Sequence, residues 1–148
     1  AVHCARAGID VILVGDSIAM VEMGFETTQP IGIDQMIWHS ASVKRGIDFA
    51  ASASDCGTPL LVGDMPFGSY EYDDSDSALK NAYRFVKEAG VDAVKLEVRR
   101  WNSQTLPVTQ RFLLPARPFV PSRCSRLLII NDPHREAVWP EHVPRKRL

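Results

Sequence analysis

The sequence predicts an α/β fold in which parallel strands alternate with helices. Three short apolar runs, at residues 9–14, 59–64 and 91–97, have the length and composition of buried strands, and each is followed or ended by an acidic residue. Between them lie longer segments with apolar residues at helical spacing, and a glycine follows each of these segments. A repeat of strand and helix requires a parallel sheet, because each helix has to carry the chain back to the start of the next strand.

The predicted elements follow one another along residues 1–97. In order, they are the last turns of a helix at 1–7, a strand at 9–14, a loop at 20–32, a helix at 34–45, a surface linker at 47–58, a strand at 59–64, a loop at 65–74, a helix from Ser75 or Asp76 to 89, and a strand at 91–97. Four apolar residues at 11–14 (VILV) indicate a first strand that is buried on both faces. Asp34 is placed to cap the first full helix, and Gly46 and Gly90 are placed to end the two helices.

The composition changes sharply after residue 97. Residues 1–97 hold 7 Lys and Arg against 15 Asp and Glu, a balance of −8, whereas residues 98–148 hold 10 against 3, a balance of +7. All nine glycines lie in the first part, and seven of the ten prolines lie in the second. We therefore predict a folded domain over residues 1–97 and an Arg/Pro-rich, mostly irregular and poorly ordered tail over residues 98–148, with one strand-like run at 127–130.

The overall composition excludes several classes of protein. A hydrophobic content of 45% suffices for a core, and no apolar run is long enough to cross a membrane. Three widely spaced cysteines (Cys4, Cys56 and Cys124) favour reduced thiols in a soluble intracellular protein, cytoplasmic or mitochondrial. The basic tail permits weak, salt-sensitive contacts with acidic partners, but no recognition motif accompanies its charges, so we expect no specific nucleic-acid partner.

Three acidic residues stand at the ends of the three predicted strands: Asp16, Asp64 and Glu97. The carboxyl ends of parallel strands share one rim of the sheet, where ligands bind, so these carboxylates are expected to face one another. Carboxylates brought together in this way need a cation, and hard oxygen ligands without nearby Cys or His favour Mg²⁺. The sequence therefore predicts a Mg²⁺ site at this rim.

Two further residues suit an anionic substrate beside such a metal. Lys95 lies two residues before Glu97 and is expected on the same side of the strand, where its charge would balance a bound anion. Ser17 offers a hydroxyl next to Asp16. This set suits a small 2-oxo acid whose carbonyl is polarised by the metal. A single Asp after a strand is more often a turn former or a helix cap, so separate structural roles stay open as the alternative.

Several motifs of residues 7–97 resemble those of the ketopantoate hydroxymethyltransferase (3-methyl-2-oxobutanoate hydroxymethyltransferase) family. In chain order, the matching segments are residues 7–10 (AGID), 13–17 (LVGDS), 27–31 (TTQPI), 45–46 (RG), 61–68 (LVGDMPFG) and 93–97 (AVKLE). They occur in the family's order, and the resemblance extends over about 90 of the 148 residues.

The resemblance implies a (β/α)₈ TIM barrel, of which about three βα units are present here, and a homo-oligomer. It implies hydroxymethyl transfer from 5,10-methylenetetrahydrofolate to 3-methyl-2-oxobutanoate, which gives 2-dehydropantoate in pantothenate biosynthesis. By position, Asp16 and Asp64 would bind Mg²⁺ and Glu97 would complete the metal site. Asp16, Ser17, Asp64 and Lys95 would contact the oxo acid.

The sequence also departs from the family pattern. The family's first strand would precede Ala1, and Phe25 stands where the family usually has His. Val98 follows Glu97 where the family has Gly-Gly, and no later segment matches the context of the family's general-base Glu, so no catalytic residue is assigned. We expect a piece of a longer protein, with residues 98–148 arising from a frame shift, a retained intron or an alternative exon, and with little or no activity by itself. A Mg²⁺-dependent lyase of the phosphoenolpyruvate mutase/isocitrate lyase type and a non-catalytic fragment are the alternatives.

Overall fold

The computed structural model of the chain describes residues 1–53, 57–70, 75–98, 120–121 and 126–127. The elements, in order, are α1 (Val2–Arg6), β1 (Val11–Val14), α2 (Ile18–Val21), α3 (Ile33–Ala53), β2 (Leu60–Asp64), α4 (Ser75–Arg84), a π-helix (Phe85–Ala89), β3 (Ala93–Lys95), β4 (Glu97–Val98), β5 (Val120–Pro121) and β6 (Arg126–Leu127). The described part therefore alternates strands with helices over most of its length, as the sequence predicts.

The first three strands form a parallel sheet in the order β1-β2-β3. Val14 lies beside Gly63, and Asp64 lies beside Lys95. All three strands therefore run in the same direction and end at the same rim. This confirms the predicted α/β architecture with a parallel sheet.

One face of this sheet packs against the helices. Val14, Leu61 and Val94 belong to the buried core, together with apolar residues of α3 and the π-helix. On β1, however, Val11 is 46% exposed and Leu13 is 50% exposed. The prediction that residues 11–14 are buried on both faces is therefore wrong. Side chains alternate along a strand, and β1 is an edge strand of the described sheet that the helices cover on one face only.

Helix α3 continues through Gly46, where the sequence suggested a stop. A Cβ atom built on Gly46 would lie 2.9 Å from the Cβ of Ala1, so this glycine permits the close approach of α1 to α3 and does not end the helix. Ile47 and Ala50 are buried in the next turns. The predicted linker is thus wrong for residues 47–53, which are helical, while residues 57–58 are exposed coil and residues 54–56 lie outside the described part.

The start of α3 also differs from the prediction. The helix begins at Ile33, so Asp34 already lies in the first turn and the predicted cap by Asp34 is wrong. The Gly32 amide, directly before the helix, donates a hydrogen bond of 2.8 Å to Oε1 of Gln35. Asp34 instead pairs with Arg84 at 2.7 Å, which connects α3 to the end of α4. Within the predicted loop at 20–32, residues 20–21 belong to the single-turn helix α2.

The last predicted helix is confirmed, with a change of geometry near its end. Its residues form α4 and then the π-helix Phe85–Ala89. Gly90 follows with φ of 66°, in the left-handed region that glycine adopts without strain, and its amide bonds back to Val86. The predicted stop at Gly90 is therefore confirmed.

The predicted third strand is divided between two sheets. β3 ends at Lys95, whose carbonyl accepts a hydrogen bond of 3.0 Å from the Met65 amide. Glu97 and Val98 then form β4, which pairs with β6 in an antiparallel sheet of order β4-β6-β5. A single strand over 91–97 is therefore wrong, because the chain changes its hydrogen-bonding partner after Lys95.

The second region is described only at its short strands. Leu127, the first residue of the predicted run at 127–130, lies in β6, and residues 128–130 lie outside the described part. The prediction of an irregular tail falls almost entirely on residues outside it. Among the helices that the structure describes, none combines the length and the hydropathy needed to cross a lipid bilayer.

Candidate functional site

Two charged side chains meet at the rim of the parallel sheet. Asp64 ends β2 and Lys95 ends β3, and the two residues are register partners, so their side chains leave the sheet on the same face. The Lys95 ammonium donates a hydrogen bond of 2.6 Å to Oδ2 of Asp64. The Asp64 carboxylate is almost fully buried, at 2% exposure for the residue. This pairing connects two residues that the sequence predicted as members of one site.

Asp16 reaches the same carboxylate from β1. The chain turns directly after this strand, with the Ile18 amide bonded to the Gly15 carbonyl at 3.2 Å and the Ala19 amide bonded to the Asp16 carbonyl at 3.0 Å. This turn directs the Asp16 amide to Oδ2 of Asp64, where it makes a long hydrogen bond of 3.5 Å. The ends of all three strands therefore converge on Asp64.

The surroundings of Asp64 act in opposite directions on the pKa of its carboxyl. Burial raises the pKa of this carboxyl above its ordinary value of 3.8. The hydrogen bond and charge of Lys95 oppose that shift, whereas the nearby charge of Asp16 adds to it. The net shift is upward, so one lysine does not fully offset the burial and the second carboxylate. An additional cation at this rim would stabilise the ionised pair.

Gly15 lets a hydroxyl and a carboxylate oxygen lie close to the backbone between the two strand ends. A Cβ atom built on Gly15 would lie 3.3 Å from Oγ of Ser17 and 3.8 Å from Oδ2 of Asp64. A side chain at this position would therefore crowd the Ser17 hydroxyl. Hydroxyl and carboxylate oxygens are the kind of ligand that a hard cation such as Mg²⁺ prefers.

The third predicted acid does not extend β3. The backbone of Glu97 lies in β4, and its side chain lies outside the described part. Among the side chains that the structure describes, no group of three or more His, Cys, Asp or Glu residues is placed to hold a metal ion. Asp16, Ser17, Asp64 and Lys95 are thus brought to one rim, while the contribution of Glu97 to a metal site stays a prediction.

Glycines contribute to this rim in a way that the sequence analysis did not use. Gly15 lets Ser17 and Asp64 approach the backbone closely, and Gly63 lets Phe85 pack against the residue before Asp64, since a Cβ atom on Gly63 would lie 2.6 Å from Cδ1 of that ring. The signal was present in the sequence, because both glycines directly precede a strand-end aspartate. Glycine at such a position marks close approach of backbone to another group.

Comparison with known proteins gives a consistent family. A family model described as ketopantoate hydroxymethyltransferase matches residues 1–115, which runs past the predicted boundary at residue 97. A 3-methyl-2-oxobutanoate hydroxymethyltransferase of Anaeromyxobacter sp. (strain Fw109-5) is 53% identical over 91 residues, covering 62% of this chain and 28% of that protein.

Two further relatives carry the same name. The 3-methyl-2-oxobutanoate hydroxymethyltransferase 1, mitochondrial, of Arabidopsis thaliana is 50% identical over 97 residues, which cover 66% of this chain and 25% of that protein. The enzyme of this name from Gloeobacter violaceus is 47% identical over 92 residues, which cover 62% of this chain and 32% of that protein. The chain therefore spans about a quarter to a third of the length of these relatives. Because the family model matches more than half of its residues, the chain belongs to the ketopantoate hydroxymethyltransferase family.

Proposed function

We propose that the intact protein transfers a hydroxymethyl group from 5,10-methylenetetrahydrofolate to 3-methyl-2-oxobutanoate. The products would be 2-dehydropantoate and tetrahydrofolate, with water supplying the hydroxyl oxygen. The observation that carries this proposal is the convergence of Asp16 and Lys95 on the buried carboxylate of Asp64 at the carboxyl rim of a parallel sheet. Relatives with the name of this activity are 53% and 50% identical to this chain over 91 and 97 aligned residues.

In this proposal, Asp16 and Asp64 hold a Mg²⁺ ion, and Glu97 completes its site. The fit rests on the paired carboxylates, on the upward pKa shift of Asp64 and on the close approach of the Ser17 hydroxyl and the Asp64 carboxylate at Gly15. When bound, Mg²⁺ would polarise the carbonyl of the oxo acid and stabilise the negative charge that develops when a proton leaves C3.

The other residues of the rim would bind the oxo acid. Lys95 would neutralise its carboxylate, and the Ser17 hydroxyl would donate a hydrogen bond to it. The low exposure of Asp64 keeps water away from one side of the site, which strengthens these charge interactions. The chain would thus supply the binding half of the reaction.

The proton-abstracting base belongs to a part of the family pattern that this sequence does not match. A general base contributes roughly 10²–10⁴-fold to a rate. We therefore expect little or no turnover from the 148-residue chain by itself. The complete (β/α)₈ barrel and the homo-oligomer are likewise proposed for the intact protein. Robust turnover of both substrates by the purified chain would contradict the expectation of low activity.

A titration with Mg²⁺ tests the binding half directly. Calorimetry of the purified chain, with and without 3-methyl-2-oxobutanoate, is expected to show tighter Mg²⁺ binding when the oxo acid is present. Asp16→Asn is expected to weaken that binding by about tenfold or more, which corresponds to about 1.4 kcal/mol. Asp10→Asn is the matched control, because Asp10 is an exposed aspartate that precedes the same strand at its opposite end. Equal weakening by both variants would contradict a Mg²⁺ site at Asp16.

A further inference from the structure

Lys95 bonds to one oxygen of the carboxylate that is proposed to bind the metal. Its ammonium lies 2.6 Å from Oδ2 of a carboxylate whose side chain is only 3% exposed. The same oxygen also accepts the long hydrogen bond from the Asp16 amide. This oxygen therefore already has a cationic partner and a neutral donor.

A divalent cation on that oxygen has to compete with the ammonium. A carboxylate oxygen has two lone pairs, and Oδ2 of Asp64 already accepts two hydrogen bonds, one from the Lys95 ammonium and one from the Asp16 amide. Two cations held on one buried oxygen would repel each other strongly, because few water molecules screen them. The Lys95 ammonium can move away from Asp64, because the lysine side chain is 19% exposed and rotates about four carbon–carbon bonds.

We propose that Lys95 acts as an internal cation that pairs with Asp64 and leaves it only when an anionic 2-oxo acid arrives with the metal. This inference rests on the proposed function, because it assumes that Asp64 binds a metal. The substrate carboxylate replaces the Asp64 carboxylate as the partner of the ammonium, and the vacated oxygen turns to the metal. Metal and oxo acid therefore bind cooperatively, and the metal binds weakly when it is alone.

The test measures binding of Mn²⁺, a paramagnetic substitute for Mg²⁺, to the purified 148-residue chain by the decrease of the free-ion electron paramagnetic resonance signal. Without oxo acid, Lys95→Met is expected to bind Mn²⁺ about tenfold more tightly than the unchanged chain, because a charge-assisted hydrogen bond no longer competes. With 3-methyl-2-oxobutanoate, the unchanged chain is expected to gain affinity, and Lys95→Met is expected to gain far less.

A matched variant separates competition from a general effect of charge. Lys87→Met removes the same charge from an exposed position on the π-helix and is expected to leave Mn²⁺ affinity unchanged. The ratio of the Mn²⁺ affinities of Lys95→Met and the unchanged chain is expected to persist at about 1 M salt, where the Debye length is about 3 Å and distant charges are screened. Lys95→Gln gives a second variant of similar length, and circular dichroism verifies that each variant is folded.

The outcomes distinguish the two proposals. Equal Mn²⁺ affinity of the folded Lys95→Met, Lys95→Gln and unchanged chains overturns the role of Lys95 and leaves the metal site standing. A gain that disappears at high salt, or that Lys87→Met reproduces, overturns it as well. If no chain binds Mn²⁺ with or without oxo acid, the proposed metal site fails, and the role of Lys95 fails with it.

Discussion

Replacing Gly63 by alanine places a methyl group inside a filled part of the core. The added Cβ would lie 2.6 Å from Cδ1 and 2.8 Å from Cε1 of Phe85, whereas carbon atoms in contact prefer about 3.5–4.0 Å. Phe85 is fully buried, at 0% exposure, and Cγ1 of Val91 also lies only 3.4 Å from the added Cβ. The ring therefore has to shift by roughly 1 Å against neighbours that are themselves packed.

The expected cost follows from two opposing contributions. Overpacking of a core costs about 1–3 kcal/mol, and the reduced entropy of the unfolded chain returns about 0.4–1 kcal/mol for a change from glycine to alanine. We therefore expect Gly63→Ala to lower the free energy of unfolding by about 1–2 kcal/mol. Such a loss is large beside a typical total of about 5–15 kcal/mol.

Urea unfolding followed by circular dichroism measures this loss. With a dependence on urea of about 1–3 kcal/mol per molar, the midpoint is expected to fall by roughly 1 M. Gly57→Ala is the matched control, since a Cβ there would meet no atom of the described residues within 4 Å, and it is expected to be neutral or slightly stabilising. The double variant Gly63→Ala/Phe85→Leu is expected to lose less than the sum of its single changes. If Gly63→Ala matches Gly57→Ala, the close packing of Phe85 on this strand is refuted.

Three further changes test individual buried groups. Asp92→Ala removes the carboxylate oxygen that accepts a 2.8 Å hydrogen bond from the Leu61 amide, so it is expected to cost about 1–3 kcal/mol in urea unfolding. Asp92→Asn keeps an acceptor and is expected to cost less; equal losses for the two would contradict this role. Ser40→Ala removes a buried hydroxyl that has no hydrogen-bond partner within the described part of the chain, and it is expected to be neutral or to stabilise by up to about 1 kcal/mol. A clear loss of stability there would show that the hydroxyl is satisfied. Because the pKa of Asp64 is raised in the folded state, that state binds more protons than the unfolded chain between the two pKa values. The contribution of Asp64 to the free energy of unfolding is therefore present below the unfolded pKa and is lost as pH rises through the folded pKa. In the metal-free chain, Asp64→Asn is expected to remove this pH-dependent loss. If the variant and the unchanged chain show the same dependence of stability on pH, the prediction is contradicted.

Local patterns in the sequence were sufficient to predict the repeating strands and helices. The run at 60–64 (LLVGD) is apolar, has strand length and stops at an acid, and it forms a parallel strand with Asp64 at the rim. Gly90 ends its helix because its backbone adopts the left-handed conformation, which glycine reaches without strain. These features depend on residues within a few positions of one another, which a pattern records directly.

Other features depended on what each segment packs against. Gly46 and Gly90 are the same type of residue, yet only Gly90 ends a helix. Gly46 lies inside α3, at the point where α1 approaches it closely. Val11 and Leu13 belong to a strongly apolar run, yet they are exposed because β1 is an edge strand in the described sheet. No local signal states which neighbour a segment will meet, because that neighbour lies far away in the chain.

The candidate site shows the same division. The sequence by itself determined which chemical groups stand at the strand ends, and the parallel arrangement brought Asp16, Asp64 and Lys95 to one rim. Only the tertiary structure decided that Lys95 bonds to Asp64, that Ser17 and Asp64 lie close to Gly15, and that the chain changes sheets before Glu97. The physical reason is that residue identity sets the available donors and charges, whereas burial and register set their distances and their pKa values.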